Sequence, residues 1–176
     1  MRNTFRQISE LWDAKIPDLA TLKERLPGSV LVGLDIEHFN IDGIQHASEV
    51  GVAVLQVQGQ SPPFFHGLAQ FYEESGVEAL TMRVRDRVGL KPQYEDPEKR
   101  YGEKVHTNEE NIPEITTETL SKYEGTRILV VFDTNAEMKW MSETCPSFAS
   151  LFSAWVDAQE LLAHRIEPEH LALAVA

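Results

Sequence analysis

Two acidic residues at the end of a hydrophobic stretch are the side chains of this sequence best placed for chemistry. Asp35 and Glu37 follow Val30–Leu34 in the run VLVGLDIEHF. Successive side chains of a β-strand point to opposite faces, so residues two positions apart share a face. Two carboxylates held side by side repel each other and lose hydration, and a divalent cation relieves both problems. Carboxylate oxygens suit Mg²⁺ or Mn²⁺, so the spacing indicates a metal site.

A metal site at this position would be suited to phosphodiester hydrolysis. Two ions about 4 Å apart can activate a water and stabilise the leaving oxygen. The alternative is a strand end whose carboxylates meet solvent or an arginine, because Asp-x-Glu is a short pattern that is common by chance. Both interpretations need a strand that carries Asp35 and Glu37 at its end.

The pattern around this pair predicts an α/β protein. The residues before it leave no polar face, which is typical of a central strand covered on both sides. Strands are predicted at about Val30–His38, Ala47–Val57, Ala79–Val88 and Ile128–Phe132, with a last element around Trp155–Ala163. Helices are predicted at Thr4–Ala14, Asp18–Leu26, Leu68–Glu74, Ile115–Tyr123 and Thr134–Glu143, and an irregular loop at Gly89–Pro113. Three meandering strands followed by alternating helices and strands predict a mixed sheet with flanking helices, the ordering of the ribonuclease-H-like fold.

Composition bounds the class of protein. The chain has 176 residues, and its 42% hydrophobic content predicts one folded domain, not a disordered chain. The formal net charge of −12 disfavours broad electrostatic binding to nucleic acid or anionic membranes. Cys145 is the single cysteine, so no internal disulfide or cysteine-rich zinc site is expected. No apolar run approaches membrane-spanning length and the start lacks a signal-peptide pattern, so we expect a cytoplasmic or nuclear protein.

The stretch around the acidic pair resembles a motif of known exonucleases. In GLDIEHFN…ASEVGVAVL, a strand with Asp-x-Glu is followed by a strand that begins near Glu49 and Gly51. This resembles the first motif of the DEDD-type 3′–5′ exonuclease superfamily. The segment LVGLDIEHF is most similar to the corresponding segment of fungal members of its DEDDh branch. The resemblance extends to two later patches, Ile128–Met141 and Trp155–Leu162. It implies a ribonuclease-H-like domain over residues 29–176, behind an N-terminal helical segment, residues 1–28, packed on that core.

The resemblance also implies a third metal ligand, in the first turn of the helix after the strand Ile128–Phe132. That position falls on Glu137, where the superfamily has aspartate. Asp133 lies where Asn or Asp is usual, and Phe132 replaces a histidine. The implied catalytic residues are Asp35, Glu37 and Glu137, and the implied ligands of Mg²⁺ or Mn²⁺ are these three and Asp133.

Glu137 has a second interpretation, as part of a helix cap. The residues Thr134-Asn135-Ala136-Glu137 match a capping box, in which the first and last side chains satisfy amides at the start of the helix. The sequence alone does not decide whether Glu137 caps the helix or faces a metal ion.

The end of the chain departs further from the superfamily, whose members carry a general-base histidine and a fourth metal-binding aspartate on a final helix. Here thirteen residues follow Ala163. His164 with Glu169 only approximates the spacing, and His170 has no acidic residue after it. Either histidine could act as the base, or both could belong to an exposed tail. We therefore expect a domain that lacks its final helix.

Arg83, Arg85 and Arg87 alternate along the third predicted strand. A row of guanidinium groups on one face can grip phosphates, which makes these residues candidates for nucleic-acid binding. The alternative is a solvated face paired with some of the 28 acidic residues.

Four aromatic residues raise a similar choice between base stacking and core packing. They are Phe64, Phe65, Phe71 and Tyr72.

Two functions follow as expectations. The first is a degenerate exonuclease-like protein that binds single-stranded nucleic acid or a protein partner, with weak or no catalysis. The alternative is an active Mg²⁺- or Mn²⁺-dependent 3′–5′ exonuclease acting on single-stranded RNA or DNA. A missing final helix would expose apolar surface, so a homo-oligomer is a further expectation.

Overall fold

A mixed β-sheet with helices on both faces organises the structure, a computed structural model that describes residues 2–57, 68–90, 102–132 and 134–163. The strands are β1 (Ser29–Ile41), β2 (Ile44–Gln56), β3 (Glu78–Val84), β4 (Glu103–Thr107), β5 (Thr126–Val131) and β6 (Ala154–Asp157). The α-helices are α1 (Arg2–Asp13), α2 (Leu19–Arg25), α3 (Leu68–Ser75), α4 (Ile112–Leu120), α5 (Thr134–Glu143) and α6 (Ala158–Ala163). Short 3₁₀ helices cover Arg85–Leu90, Glu109–Asn111 and Pro146–Leu151.

The strand order places β1 in the middle of the sheet. The order is β4-β3-β2-β1-β5-β6. β2 is antiparallel to both β1 and β3, whereas β4 runs parallel to β3 and β5 runs parallel to β1 and β6. The predicted α/β class, with a mixed sheet and flanking helices, is therefore confirmed, as is the central position of the strand that carries Asp35 and Glu37.

One face of the sheet holds the larger core. Alternate residues of β1, namely Val30, Val32, Leu34 and Ile36, are at most 8% exposed there. They contact a layer built from α1, α4, α5 and the 3₁₀ helix Pro146–Leu151, with Trp140 and Phe148 fully buried. Burying a side chain of this size contributes about 1.5–3 kcal/mol, so this face supplies most of the hydrophobic stabilisation.

A smaller core covers only part of the opposite face. Leu31, Ile128 and Val156 pack there against Ile16, which precedes α2, and against Leu22, which lies in it. This layer covers β5, β6 and the first half of β1. The second half of β1, together with β2 and β3, borders an open cleft on the same face.

Two predicted elements were wrong in the middle of the chain. The third strand was predicted to run to Val88, but β3 ends at Val84, so Arg85 and Arg87 lie in a 3₁₀ helix and do not continue a row from Arg83. The predicted loop Gly89–Pro113 contains β4, an edge strand. Its sequence EKVHT has one apolar residue, Val105, so no hydrophobic alternation marked it.

The helix predicted at Ile115–Tyr123 begins earlier, at Ile112, and ends at Leu120. Pro113 falls in its first turn, where the missing N–H has no helical partner to lose.

No helix in the described part of the chain combines the length and the apolar character that crossing a bilayer needs. Several residues singled out from the sequence lie outside the described residues: Phe64, Phe65, Asp133, His164, Glu169 and His170.

Candidate functional site

The open face of the sheet forms a cleft of about 460 Å³ beside the acidic pair. Its floor consists of small residues from three neighbouring strands, with Asp35 and Glu49 at one side and Phe132 at another. The small residues are Gly33, Gly51, Ala53, Ala79 and Thr81. A Cβ atom added at Gly51 would lie 3.8 Å from the Cβ of Asp35, an ordinary contact, so the local backbone does not force glycine there.

The alternation of β1 brings Asp35 and Glu37 to this face, as predicted. Both side chains are exposed, while Ile36 between them is buried on the opposite side. Asp35 lies opposite Gly51 of β2 and Glu37 lies opposite Glu49. A β-bulge follows Glu37 and shifts the register by one residue, after which the pairing continues to the turn.

Glu49 and Arg83 form an ion pair at the edge of the cleft. The two residues lie opposite each other on β2 and β3, and the Arg83 Nε donates to Glu49 Oε2 at 2.7 Å. Each side chain is 13% exposed. The pair neutralises one acidic group next to Glu37 and occupies Arg83, which the sequence had offered as a phosphate contact.

Glu137, the implied third ligand, lies in the first turn of α5 and is 3% exposed. The buried side of this helix carries Met138, Trp140 and Met141, which belong to the larger core. In the regions that the structure describes, no three His, Cys, Asp or Glu side chains are grouped so as to hold a metal ion. Asp35 and Glu37 thus share one exposed strand face, and Glu137 lies at the buried start of α5.

The hydroxyl of Thr134 donates to the carboxylate of Asp157, so the start of α5 is tied to the end of β6. α5 begins at Thr134 itself, so this residue lies in the first turn of the helix. Asp157 also accepts from the main-chain N–H groups of Gln159 at 2.8 Å and Glu160 at 3.1 Å. Burial raises the pKa of Asp157, but the hydroxyl and the two amides outweigh burial and lower it below 3.8. Asp157 therefore serves as a structural anchor for α5 and α6.

A second polar cluster centres on Glu109, in the segment predicted to be a loop. Its carboxylate accepts from Ala47 N at 2.6 Å, Trp140 Nε1 at 2.9 Å and Arg87 at 2.5 Å. His46 Nδ1 lies 3.1 Å from the same group. Arg87 also donates to the carbonyl of Ala47 at 2.7 Å. This cluster joins β2 to α5 and uses Arg87 inside the fold, away from the cleft.

The other residues proposed from the sequence lie at different positions in the fold. Arg85 is exposed and donates to the carbonyl of His106 at 3.2 Å. Phe71 lies half-buried on α3, a helix that also contains Tyr72. Phe132, at the end of β5, is 57% exposed and lines the cleft. An apolar ring this exposed beside a cleft can contact a bound molecule.

Sequence reasoning missed Glu109 and the cleft floor. Glu109 lies in a polar run with no periodic pattern, and its four partners are 22 to 63 residues away in the chain. The floor depends on the register of three strands, which sets Gly33, Ala53 and Ala79 side by side. Isolated small residues in predicted strands were the only available signal.

Comparison with known proteins adds no relative. No protein-family model and no curated protein matches this sequence, so the exonuclease resemblance rests on the motif residues themselves.

Proposed function

We propose that this chain is a ribonuclease-H-like domain of exonuclease ancestry that binds a partner and has weak or no nuclease activity. Support for the fold comes from the strand order β3-β2-β1-β5-β6, with β2 antiparallel and β5 and β6 parallel to β1. Support for the ancestry comes from Asp35 and Glu37, which lie two residues apart in the central strand. β4 is an added edge strand in this interpretation.

The burial of Glu137 carries the proposal for weak or absent catalysis. Asp35 lines the cleft and Glu37 is exposed on the same strand face, whereas Glu137 lies on the buried side of α5 among core residues. A metal-dependent hydrolase needs its carboxylates to converge on the ions, because the ions hold the water and the leaving oxygen. The acids within the described ranges do not converge in a set of three.

The charge of the cleft favours a protein partner over nucleic acid. Its described lining contains Asp35 and Glu49 but no lysine or arginine. Arg83 pairs with Glu49 and Arg87 pairs with Glu109. Arg85, the third arginine offered as a phosphate contact, is exposed but does not belong to the described lining. Phosphate backbones need cationic partners, while the small apolar floor and the exposed Phe132 suit apolar side chains.

A second candidate is an active Mg²⁺- or Mn²⁺-dependent 3′–5′ exonuclease. The placement of Asp35 and Glu37 on one exposed strand face favours it, because two such carboxylates are the ligands these ions take. These two residues would hold the ion, which would supply Lewis-acid assistance and an activated water. The candidate needs a further carboxylate at the same place, and Glu137 is 3% exposed in the first turn of α5.

A nuclease assay separates the two candidates. Single-stranded RNA and DNA oligonucleotides labelled at the 5′ end are incubated with the pure chain and Mn²⁺ or Mg²⁺. The control is the double variant Asp35→Ala/Glu37→Ala, which removes both exposed carboxylates. We expect no metal-dependent trimming beyond that of the control. Trimming from the 3′ end that disappears in the double variant would contradict the proposal and support the second candidate.

A further inference from the structure

The hairpin of β1 and β2 extends beyond the rest of the sheet. Each strand has 13 residues, compared with a typical length of about 5–6. β5 pairs with β1 only as far as Gly33, and β3 pairs with β2 only from Glu49 onward. Residues 38–47 therefore form a two-stranded arm, closed by a turn at Asp42 and Gly43.

The β2 edge of this arm is covered by hydrogen bonds. Gln45 N donates to Glu143 at 3.0 Å, and the carbonyl of Gln45 accepts from Thr144. Two residues further on, Ala47 N donates to Glu109 and the carbonyl of Ala47 accepts from Arg87. Gln45 and Ala47 thus turn their main-chain groups away from β1.

The β1 edge presents the matching groups, and the residues that the structure describes do not cover them. In an antiparallel ladder, opposite residues either exchange hydrogen bonds or both point outward. Asn40 lies opposite Gln45 and His38 lies opposite Ala47, so the main-chain groups of Asn40 and His38 point out of the other edge. Neither makes a main-chain hydrogen bond on that edge to a residue that the structure describes. Their side chains are exposed as well.

We propose that this edge, defined by His38 and Asn40, binds an extended, basic peptide segment of a partner protein by strand addition. Exposed edges of this kind are templates for a further strand, whose N–H and C=O groups match the two-residue repeat. Ile41 and Ile44 at the tip of the arm are 46% and 47% exposed and offer apolar contact to an added strand. His38 and Asn40 are not among the described residues that line the cleft, so the two proposals can fail independently.

The charges near this edge indicate which kind of strand it binds. The sequence contains no lysine or arginine between Arg25 and Arg83. Asp35, Glu37 and Asp42 flank the edge and are exposed. Lysine or arginine side chains on an added strand would lie near these acids, whereas a second copy of the arm would place acids against acids. The edge therefore fits a basic peptide and disfavours self-association.

Peptide binding to two variants at the same position tests this edge. The probe is a fluorescein-labelled octapeptide of alternating lysine and valine, measured by fluorescence anisotropy at low ionic strength, with an alternating glutamate–valine octapeptide as control. His38→Ala removes the side chain and keeps the outward N–H. His38→Pro also removes that N–H and places the proline ring on the edge, where proline is compatible with a strand. We expect the alanine variant to bind like the wild type and the proline variant to bind at least about tenfold more weakly.

Other results would overturn the inference. Equal binding by both variants, equal binding of the glutamate peptide, or no binding of the lysine peptide to the wild type would each do so. If the proline variant fails to fold, hydrogen exchange of the wild type decides. Slower exchange of the His38 and Asn40 amides with the lysine peptide supports strand addition, and unchanged exchange contradicts it. A dimer of the wild type that the proline variant lacks would show that a second copy occupies the edge.

Discussion

At the scale of single residues, Glu109 holds three elements together through one carboxylate. It accepts hydrogen bonds from β2, from α5 and from the 3₁₀ helix that carries Arg87. Burial raises the pKa of Glu109, but the hydrogen bonds from Ala47, Trp140, Arg87 and His46 outweigh burial and leave the pKa below its ordinary value of 4.5. A carboxyl whose pKa falls on folding stabilises the fold above the unfolded value and loses that contribution as the pH drops through the folded value.

Glu109→Gln should therefore lower stability in a pH-dependent way. The amide presents one acceptor oxygen and no charge to Ala47, Trp140 and Arg87. We expect the free energy of unfolding to fall by about 1–3 kcal/mol at pH 7. As the pH falls from about 4.5 through the lower pKa that Glu109 has in the fold, this contribution is lost and the two proteins converge. Urea unfolding across this pH range measures the difference.

Glu110→Gln is the matched control, because Glu110 is the exposed neighbour of Glu109. Its effect should stay within about 0.5 kcal/mol at every pH. A Glu109→Gln difference that is the same at pH 7 and at low pH would contradict an ionised Glu109 as the source of the stability.

Residues in regular strands were predictable, and residues defined by distant contacts were not. The period of two residues placed Asp35 and Glu37 on one face correctly, because strand geometry is local. The position of Glu137 was harder to predict. Its place in the first turn of α5 was predicted correctly, but the direction of its side chain depends on how α5 packs on the sheet. Glu109 gave no local signal at all.

At the scale of elements, the turn between α4 and β5 requires a glycine. Gly125 has φ of +126°, and a Cβ atom there would lie 2.0 Å from the carbonyl oxygen of Gly28. Gly76, before β3, has φ of +64° with nothing within 4 Å of an added Cβ. We expect Gly125→Ala to lower the free energy of unfolding by about 3 kcal/mol and Gly76→Ala by about 1 kcal/mol. Urea unfolding of both variants tests the ranking, and equal losses would contradict a steric role for Gly28.

Strong hydrophobic patterns also explain which elements the sequence predicted. β1, β2 and β5 carry runs of Val, Leu and Ile, and α5 was predicted with its observed bounds. β4 lies at the edge, where β3 supplies its only strand neighbour in the described sheet. The hydrogen bonds that define such a strand come from its partner, which a single-sequence pattern does not contain.

At the scale of the whole molecule, the N-terminal segment closes both cores. Leu11 of α1 belongs to the larger core, and Ile16 and Leu22 belong to the smaller one on the opposite face. Between them, the chain passes the outer edge of β6, where Ile16 N donates to the carbonyl of Trp155 at 2.8 Å. Trp12 stacks on the ring of Trp155 with centroids 5.3 Å apart. The segment therefore covers the two faces and protects one edge of the sheet.

A chain that begins at Ser29 should fail to form a stable monomer, because it exposes both cores and the β6 edge. We expect no cooperative urea transition for it, measured by circular dichroism. A graded version of the same test is Ile16→Ala, which truncates a side chain that is 1% exposed and should lower the free energy of unfolding by about 2–5 kcal/mol. Leu162→Ala is its control, since Leu162 is 56% exposed and should change stability by less than about 0.5 kcal/mol. A cooperative transition of the shortened chain at the wild-type midpoint would show that the sheet is stable without this segment.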